Sequence, residues 1–268
     1  MSDPFFIDMA DAMKARAAEL GYRVEVVSGE VDPARQRNQV EDFVTKRVAA
    51  IILCPVDSKA IGTSIARANE AGIPVFTADI AVVAEGAKIV SHIATDNFAG
   101  GKLAAEAMFE AIGGVGPIAI VDHPEVESVI MRTRGFEERL AELNREKGAS
   151  VEVVKKLPCL GARDKAFQVA EAILQAHADL KGIWAINDQS ALGVVAALEK
   201  ANLVGKVKVV GFDGQPEALE AMKAGKMSGD VVQHPREIGK KAIEAVSDYG
   251  RGKDVPAQSL IPPTLVKP

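Results

Sequence analysis

The sequence predicts an α/β protein of two lobes, each built on a parallel sheet covered by helices on both faces. Three observations predict it. Short apolar runs alternate with helix-period stretches along the chain, the pattern of strands buried on both sides. The 268 residues leave room for two bodies of about 130 residues, each with a real core. Five runs also stop at an acid, amide or imidazole: Ala49–Cys54 before Pro55-Val56-Asp57, Pro74–Ala78 before Asp79, Pro117–Val121 before Asp122-His123, Gly182–Ile186 before Asn187-Asp188, and Lys206–Phe212 before Asp213. Ligands of open α/β sheets sit outside the carboxyl ends of the strands, so these positions are where a small polar molecule would be held.

Taken in order, Phe6, Met9, Met13, Ala17 and Leu20 recur at helical spacing, and Tyr22–Val27 reads as a strand. Pro33 suits a first helical turn, with Val40, Phe43 and Val44 as the inner stripe. A strand at 49–54, a helix at 58–71 with Asp57 or Ser58 as cap and Gly72 as stop, and a strand at 74–79 follow. Ile89–Ala94 reads as a short strand that crosses between lobes, and a helix runs from Phe98 to Ile112. The second half gives strands at 117–121, 151–156, 182–186, 207–211 and 229–232. Its helices lie at 126–145, 163–177, 189–201, 215–224 and 236–250. Ile261-Pro262-Pro263, with two prolines fixing an extended path, reads as another crossing.

Composition narrows the function classes. The net charge is −5 and basic residues are dispersed, so neither nucleic acid nor an anionic membrane is expected as a partner. Cys54 and Cys159 stand outside any metal-like cluster. No run has transmembrane length, and the start lacks a basic segment followed by an apolar one, so the chain is expected to be cytosolic or processed. Gly113-Gly114-Val115-Gly116 follows a helix and precedes a strand, the reverse of a dinucleotide loop. With no phosphate loop, no spaced histidines and no serine in a nucleophile elbow, neither a cofactor nor catalysis is expected.

Asp57, Asp79, Asn187, Asp188 and Asp213 each have a plainer reading as helix caps or turn formers. Caps alone would not require acids and amides at strand ends in both halves. Arg132, near the start of a helix, opposes the helix dipole and is better explained if its guanidinium points at a partner. Gln233, after Gly229–Val232, can donate and accept at once, as a hydroxyl-bearing ligand needs. Of the two rings opening the first helix, Phe6 matches its inner stripe and Phe5 lies off it, so Phe5 is expected to be the more exposed.

These residues resemble, in order, the periplasmic sugar-binding proteins of ABC importers, the ribose- and galactose-binding class, to which lactose-repressor effector domains are related. The matching stretches are Asp3-Pro4-Phe5-Phe6, Cys54-Pro55-Val56-Asp57-Ser58, Val75–Asp79, Ser91–Asn97, Arg132–Phe136, Ile186-Asn187-Asp188, Val210–Gly214 and Val232–Pro235. The resemblance implies a type I periplasmic binding protein, with two Rossmann-like lobes joined by a three-strand hinge and closing on a monosaccharide. The lobes would be residues 1–94 plus 234–261 and 95–233 plus 262–268. Asp79, Arg132, Asn187, Asp213 and Gln233 would bind hydroxyls, Phe5 and Phe6 would cover an apolar face of the sugar, and Asp3 would lie at the mouth.

Three departures accompany the resemblance. Ile80 stands where ribose binders usually carry an arginine, which removes a donor and argues against ribose itself, and Leu160-Gly161 stands where an aromatic commonly stacks, which implies a larger ligand there or a less flat polyol. Family members also begin with a strand ahead of the Asp-Pro-Phe-Phe segment. Its apparent absence here would leave a slot of roughly 9–10 Å beside Tyr22–Val27 and weaken binding.

The expected function is therefore a monomeric, non-catalytic, periplasmic receptor passing a monosaccharide or polyol to an ABC permease. The alternative is the sensing domain of a lactose-repressor-type regulator that lacks its DNA-binding head.

Overall fold

The alternation of the sequence resolves into two separate sheets in a computed structural model, which describes residues 3–268. The first part of the chain forms α1 (Pro4–Glu19), α2 (Pro33–Thr45), β1 (Ile51–Leu53), α3 (Gly62–Glu70), β2 (Val75–Ala78) and β3 (His92–Thr95). Then come α4 (Asn97–Ala111), β4 (Val115–Asp122), α5 (Glu127–Lys147), β5 (Ser150–Pro158), α6 (Arg163–Ala176), β6 (Gly182–Ala185), α7 (Asp188–Ala201), β7 (Lys208–Asp213), α8 (Pro216–Lys223) and β8 (Gly229–Val232). The chain ends with α9 (Pro235–Gly250), β9 (Gln258–Ile261) and β10 (Thr264–Val266). One compact unit takes the chain up to Thr95 with 125–128 and 234–261, and the other takes 96–124, 129–233 and 262–268.

The sheet of the first unit is wholly parallel, in the order β1-β2-β3-β9. Period-two alternation divides its side chains between two apolar layers. Ile51, Leu53 and Val75 pack with Val40 of α2 and Ile65 of α3, whereas Ala78 and Ile93 pack with Phe5, Met9 and Met13 of α1 and Ile238 and Ala242 of α9. The second sheet runs β10-β8-β7-β6-β4-β5, parallel except for β10, whose Thr264 lies opposite Val232 in an antiparallel edge pair. Ala119, Val121, Ile183, Ala185 and Val209 face α6 and α7. Trp184, one residue out of phase with Ile183 and Ala185, points the other way and stacks on Phe136 of α5 at 4.3 Å.

Local chemistry sets the helix starts. Asp32 accepts the N–H groups of Ala34 and Arg35 ahead of Pro33, and Asp96 accepts that of Ala99. Asp57 caps a turn, through Lys59 and Ala60, rather than α3, which begins at Gly62.

One other expectation needs correction. Tyr22–Val27 forms no strand: it runs unpaired and largely exposed, and β1 pairs only with β2 among the described residues. A strand exists only with a neighbour to bond, whatever its side-chain pattern. The chain passes from one unit to the other between Ile261 and Pro262, as expected, with β9 before the crossing and β10 after it.

Helices α4 and α5 cross at very close range because both are glycine there. A Cβ on Gly101 would stand 2.0 Å from the Arg132 carbonyl oxygen, and one on Gly135 would stand 2.1 Å from that of Phe98. The crossing holds the turn of α5 that carries Arg132. Gly135→Ala should therefore lower stability by about 1–3 kcal/mol in urea unfolding, as overpacking does.

His92 is half-buried, its Nδ1 2.8 Å from Thr77 Oγ1, and burial lowers its pKa to about 4. As pH falls, the unfolded chain takes up this proton first. Stability should then decline between the ordinary histidine value and about 4, by at most about 3 kcal/mol, and His92→Gln should flatten that slope in pH-dependent melting.

Candidate functional site

Parallel strands bring their carboxyl ends to one edge of a sheet, and in the second unit that edge gathers the polar groups. β7 and β8 run in register with Asp213 opposite Val232, so Gln233 follows directly beside Asp213. The Gln233 N–H donates to the Asp213 carbonyl at 3.0 Å, and its side-chain Nε2 donates to Asp213 Oδ1 at 2.6 Å. Gln233 Oε1 is buried and meets no donor among the described residues.

Arg132 reaches the same carboxylate from α5, its Nη1 3.7 Å from Asp213 Oδ1. Its Nε donates to Asn97 Oδ1 and its Nη1 to the Ile186 carbonyl, both at 2.8 Å, while the guanidinium lies over the Phe212 ring at 3.9 Å. Both Arg132 and Asp213 are buried. Removing either would leave a desolvated charge, a loss of about 3–5 kcal/mol.

Asp213 also has a φ of 131°, a region L residues rarely adopt and one that typically costs about 1–3 kcal/mol. Such strain persists only where the surroundings hold it, and it concentrates at binding sites.

Asn187 sits at the end of β6 but acts as the cap of α7. Its Oδ1 accepts the Ser190 N–H at 2.9 Å, and its Nδ2 donates to the Gly161 carbonyl at 3.1 Å. The structure therefore joins Arg132, Asp213 and Gln233 in one network, with Asn187 committed to helix start and loop.

In the first unit, Asp79 follows β2 and is buried. Its φ is 66°, and the Ile80 N–H closes on the Ala78 carbonyl at 2.8 Å, a tight γ-turn with a left-handed central residue. Cys54 Sγ lies 4.0 Å from Asp79 Oδ2; burial first, and then the Asp79 charge, push that thiol well up.

The two rings are reversed from expectation. Phe5 is buried in the layer of Met9, Met13, Ala78 and Ile93, and Phe6 is half-buried, edge-on to Phe5 at 5.3 Å. The buried stripe advances by four residues, Phe5-Met9-Met13-Ala17, instead of starting at Phe6. Asp3 caps α1 by accepting the Phe5 N–H at 2.9 Å.

Sequence reading passed over Asn97, Gln215 and Asp230. Asp230 carried a usable signal, an acid inside an otherwise apolar strand. Asn97 and Gln215 are surrounded in sequence by ordinary helix-start residues, and nothing local marks them.

Residues 1–254 match the family model described as periplasmic binding protein domain. The ribose import binding protein of Bacillus subtilis is 35% identical over 257 residues, covering 95% of this chain and 80% of that one. An ABC transporter periplasmic solute binding protein from Actinobacillus succinogenes, solved with bound D-allose, superposes with a TM-score of 0.89 at 32% identity, covering 100% of this chain and 94% of the other. A solute binding protein from Bacillus halodurans with bound myo-inositol matches as well in TM-score, 0.89, at 32% identity over 99% and 91% of the two chains. These relatives are import binding proteins, so the regulator alternative draws no support from them.

The γ-turn at Asp79 yields a direct check. Glycine tolerates its φ and alanine does not, so Asp79→Gly should be more stable than Asp79→Ala by about 1 kcal/mol in denaturant titration.

Proposed function

Because the chain belongs to the periplasmic binding protein family, we propose that it is a non-catalytic receptor delivering a monosaccharide or polyol to the permease of an ABC importer. The observation that carries this reading is the Arg132–Asp213–Gln233 network. A sugar hydroxyl donates and accepts at once. The network offers a carboxylate to accept, a guanidinium to donate, and in Gln233 Oε1 a buried acceptor in want of a donor.

In this reading the second lobe, 95–233 plus 262–268, contributes Arg132, Asp213 and Gln233, with Asn187 fixing the loop that carries the Ile186 carbonyl. The first lobe, 1–94 plus 234–261, contributes Asp79, with Phe6 as the ring laid against the C–H face of the sugar. Phe5 supports Phe6 from below, and Asp3 acts at the mouth. The protein works as a monomer in the periplasm, without nucleic acid.

Thermal-shift screening followed by calorimetry with D-ribose, D-allose and myo-inositol tests the proposal. At least one should bind saturably, and Asp213→Ala should weaken it roughly a hundredfold or more, the scale for losing a buried charged partner. Asp79→Ala should weaken the same compound. Phe6→Ala should lower affinity with little change in melting temperature, whereas Phe5→Ala should cost about 3–5 kcal/mol of stability as a core truncation. Undiminished binding by Asp213→Ala would contradict the assignment.

A further inference from the structure

Behind Asp213 lie two more carboxyl groups that the network above does not use. Asp230 interrupts the apolar strand β8, and Asp188 lies in the first turn of α7; both side chains are wholly buried. Gly211 of β7 is opposite Asp230 in register, and a Cβ there would stand 2.8 Å from Asp188 Oδ1. The missing side chain on β7 is what gives the two carboxyls room to meet.

Asp188 Oδ2 accepts the Gln215 N–H at 2.6 Å. Asp188 Oδ1 and both Asp230 oxygens close no hydrogen bond with an ordinary donor among the described residues. The Gly214 and Val231 N–H groups favour the Asp230 charge from outside that geometry. Two facing carboxylates present only acceptors to each other, and a proton on either one converts repulsion into an O–H···O bond. Burial raises both acids, Asp230 to about 7 and Asp188 well up, the latter helped by the charges of Asp230 and Asp213. The charged groups acting on Asp188 are thus Asp230 from β8 and Asp213 from β7, while the cation, Arg132 from α5, lies against Asp213.

We propose that Asp188 and Asp230 share one proton and act as a positioning pair for Asp213. The inference rests on the reading of Asp213 as a ligand group. The pair reaches Asp213 through two donors. The Asp188 N–H points at Asp213 Oδ2 at 3.4 Å, and Gln215, tied by its own N–H to Asp188, points its Nε2 at the same oxygen at 3.5 Å. With its proton the pair carries one negative charge. Without it there are two, set behind the carboxylate that the Arg132 guanidinium faces at 3.7 Å. The proton belongs to the pair, so both residues follow one titration.

Carboxyl carbon NMR of the ligand-free protein across about pH 5 to 9 tests this directly. Asp188 and Asp230 should titrate together far above the ordinary aspartate range, and the Asp213 resonance should inflect at the same midpoint. Asp230→Asn, which keeps a donor toward Asp188 but cannot ionise, should abolish that inflection; Asp188→Asn serves the same comparison if the first variant does not fold. In D-allose calorimetry the wild-type affinity should fall about threefold or more between about pH 6.5 and 8.5, and that of Asp230→Asn should stay flat. Titration of the pair in the ordinary range, an Asp213 signal indifferent to it, or parallel affinity profiles for wild type and variant would overturn the proposal. Failure of D-allose, D-ribose and myo-inositol alike to bind at any pH would count against the receptor reading, and the ligand-free titration would still decide the shared proton.

Discussion

The contact between Arg132 and Asp213, both buried and both at the carboxyl edge of the second sheet, is the constraint on which the site depends. Neither charge is tolerable there alone, so each fixes the other. The guanidinium then anchors what surrounds it. Asn97 at the start of α4, the carbonyl of Ile186 after β6 and the ring of Phe212 on β7 all converge on Arg132. One side chain thereby sets the relative positions of two helices and two strand ends. The glycines at 101 and 135 serve the same end, since α5 could not bring Arg132 to this point without close approach to α4.

Backbone strain falls at matching places in the two units. Asp79 and Asp213 each terminate an inner strand, each is buried, and each holds a positive φ. Capping does not require that conformation: Asp32, Asp96 and Asn187 cap helices from other backbone regions. Stored strain at two strand-end acids is better explained by the direction in which their carboxylates must point.

Much of this was legible in the chain itself. Fully buried parallel strands are apolar on both faces, and their helices show a separate period, so the α/β alternation could be read without tertiary knowledge. What escaped reading depended on partners distant in sequence. Tyr22–Val27 has the pattern of a strand, but pairing is a property of two segments. The rings at 5 and 6 lie four and three residues before Met9 and eight and seven before Met13, and a period of 3.6 cannot choose between them. The buried acids at 188 and 230 meet only because residue 211, on a third element, is glycine. Arg132, Asp213 and Gln233, which the structure joins in one network, each stand out locally: a cation early in a helix, and polar ends on apolar strands.

The decisive measurement is a crystal structure of the protein with D-allose or myo-inositol bound. A ligand hydroxyl is expected within hydrogen-bond distance of the Asp213 carboxylate, a second donating to Gln233 Oε1, and a third accepting from Arg132. A sugar bound elsewhere, with that network intact and untouched, would contradict that placement.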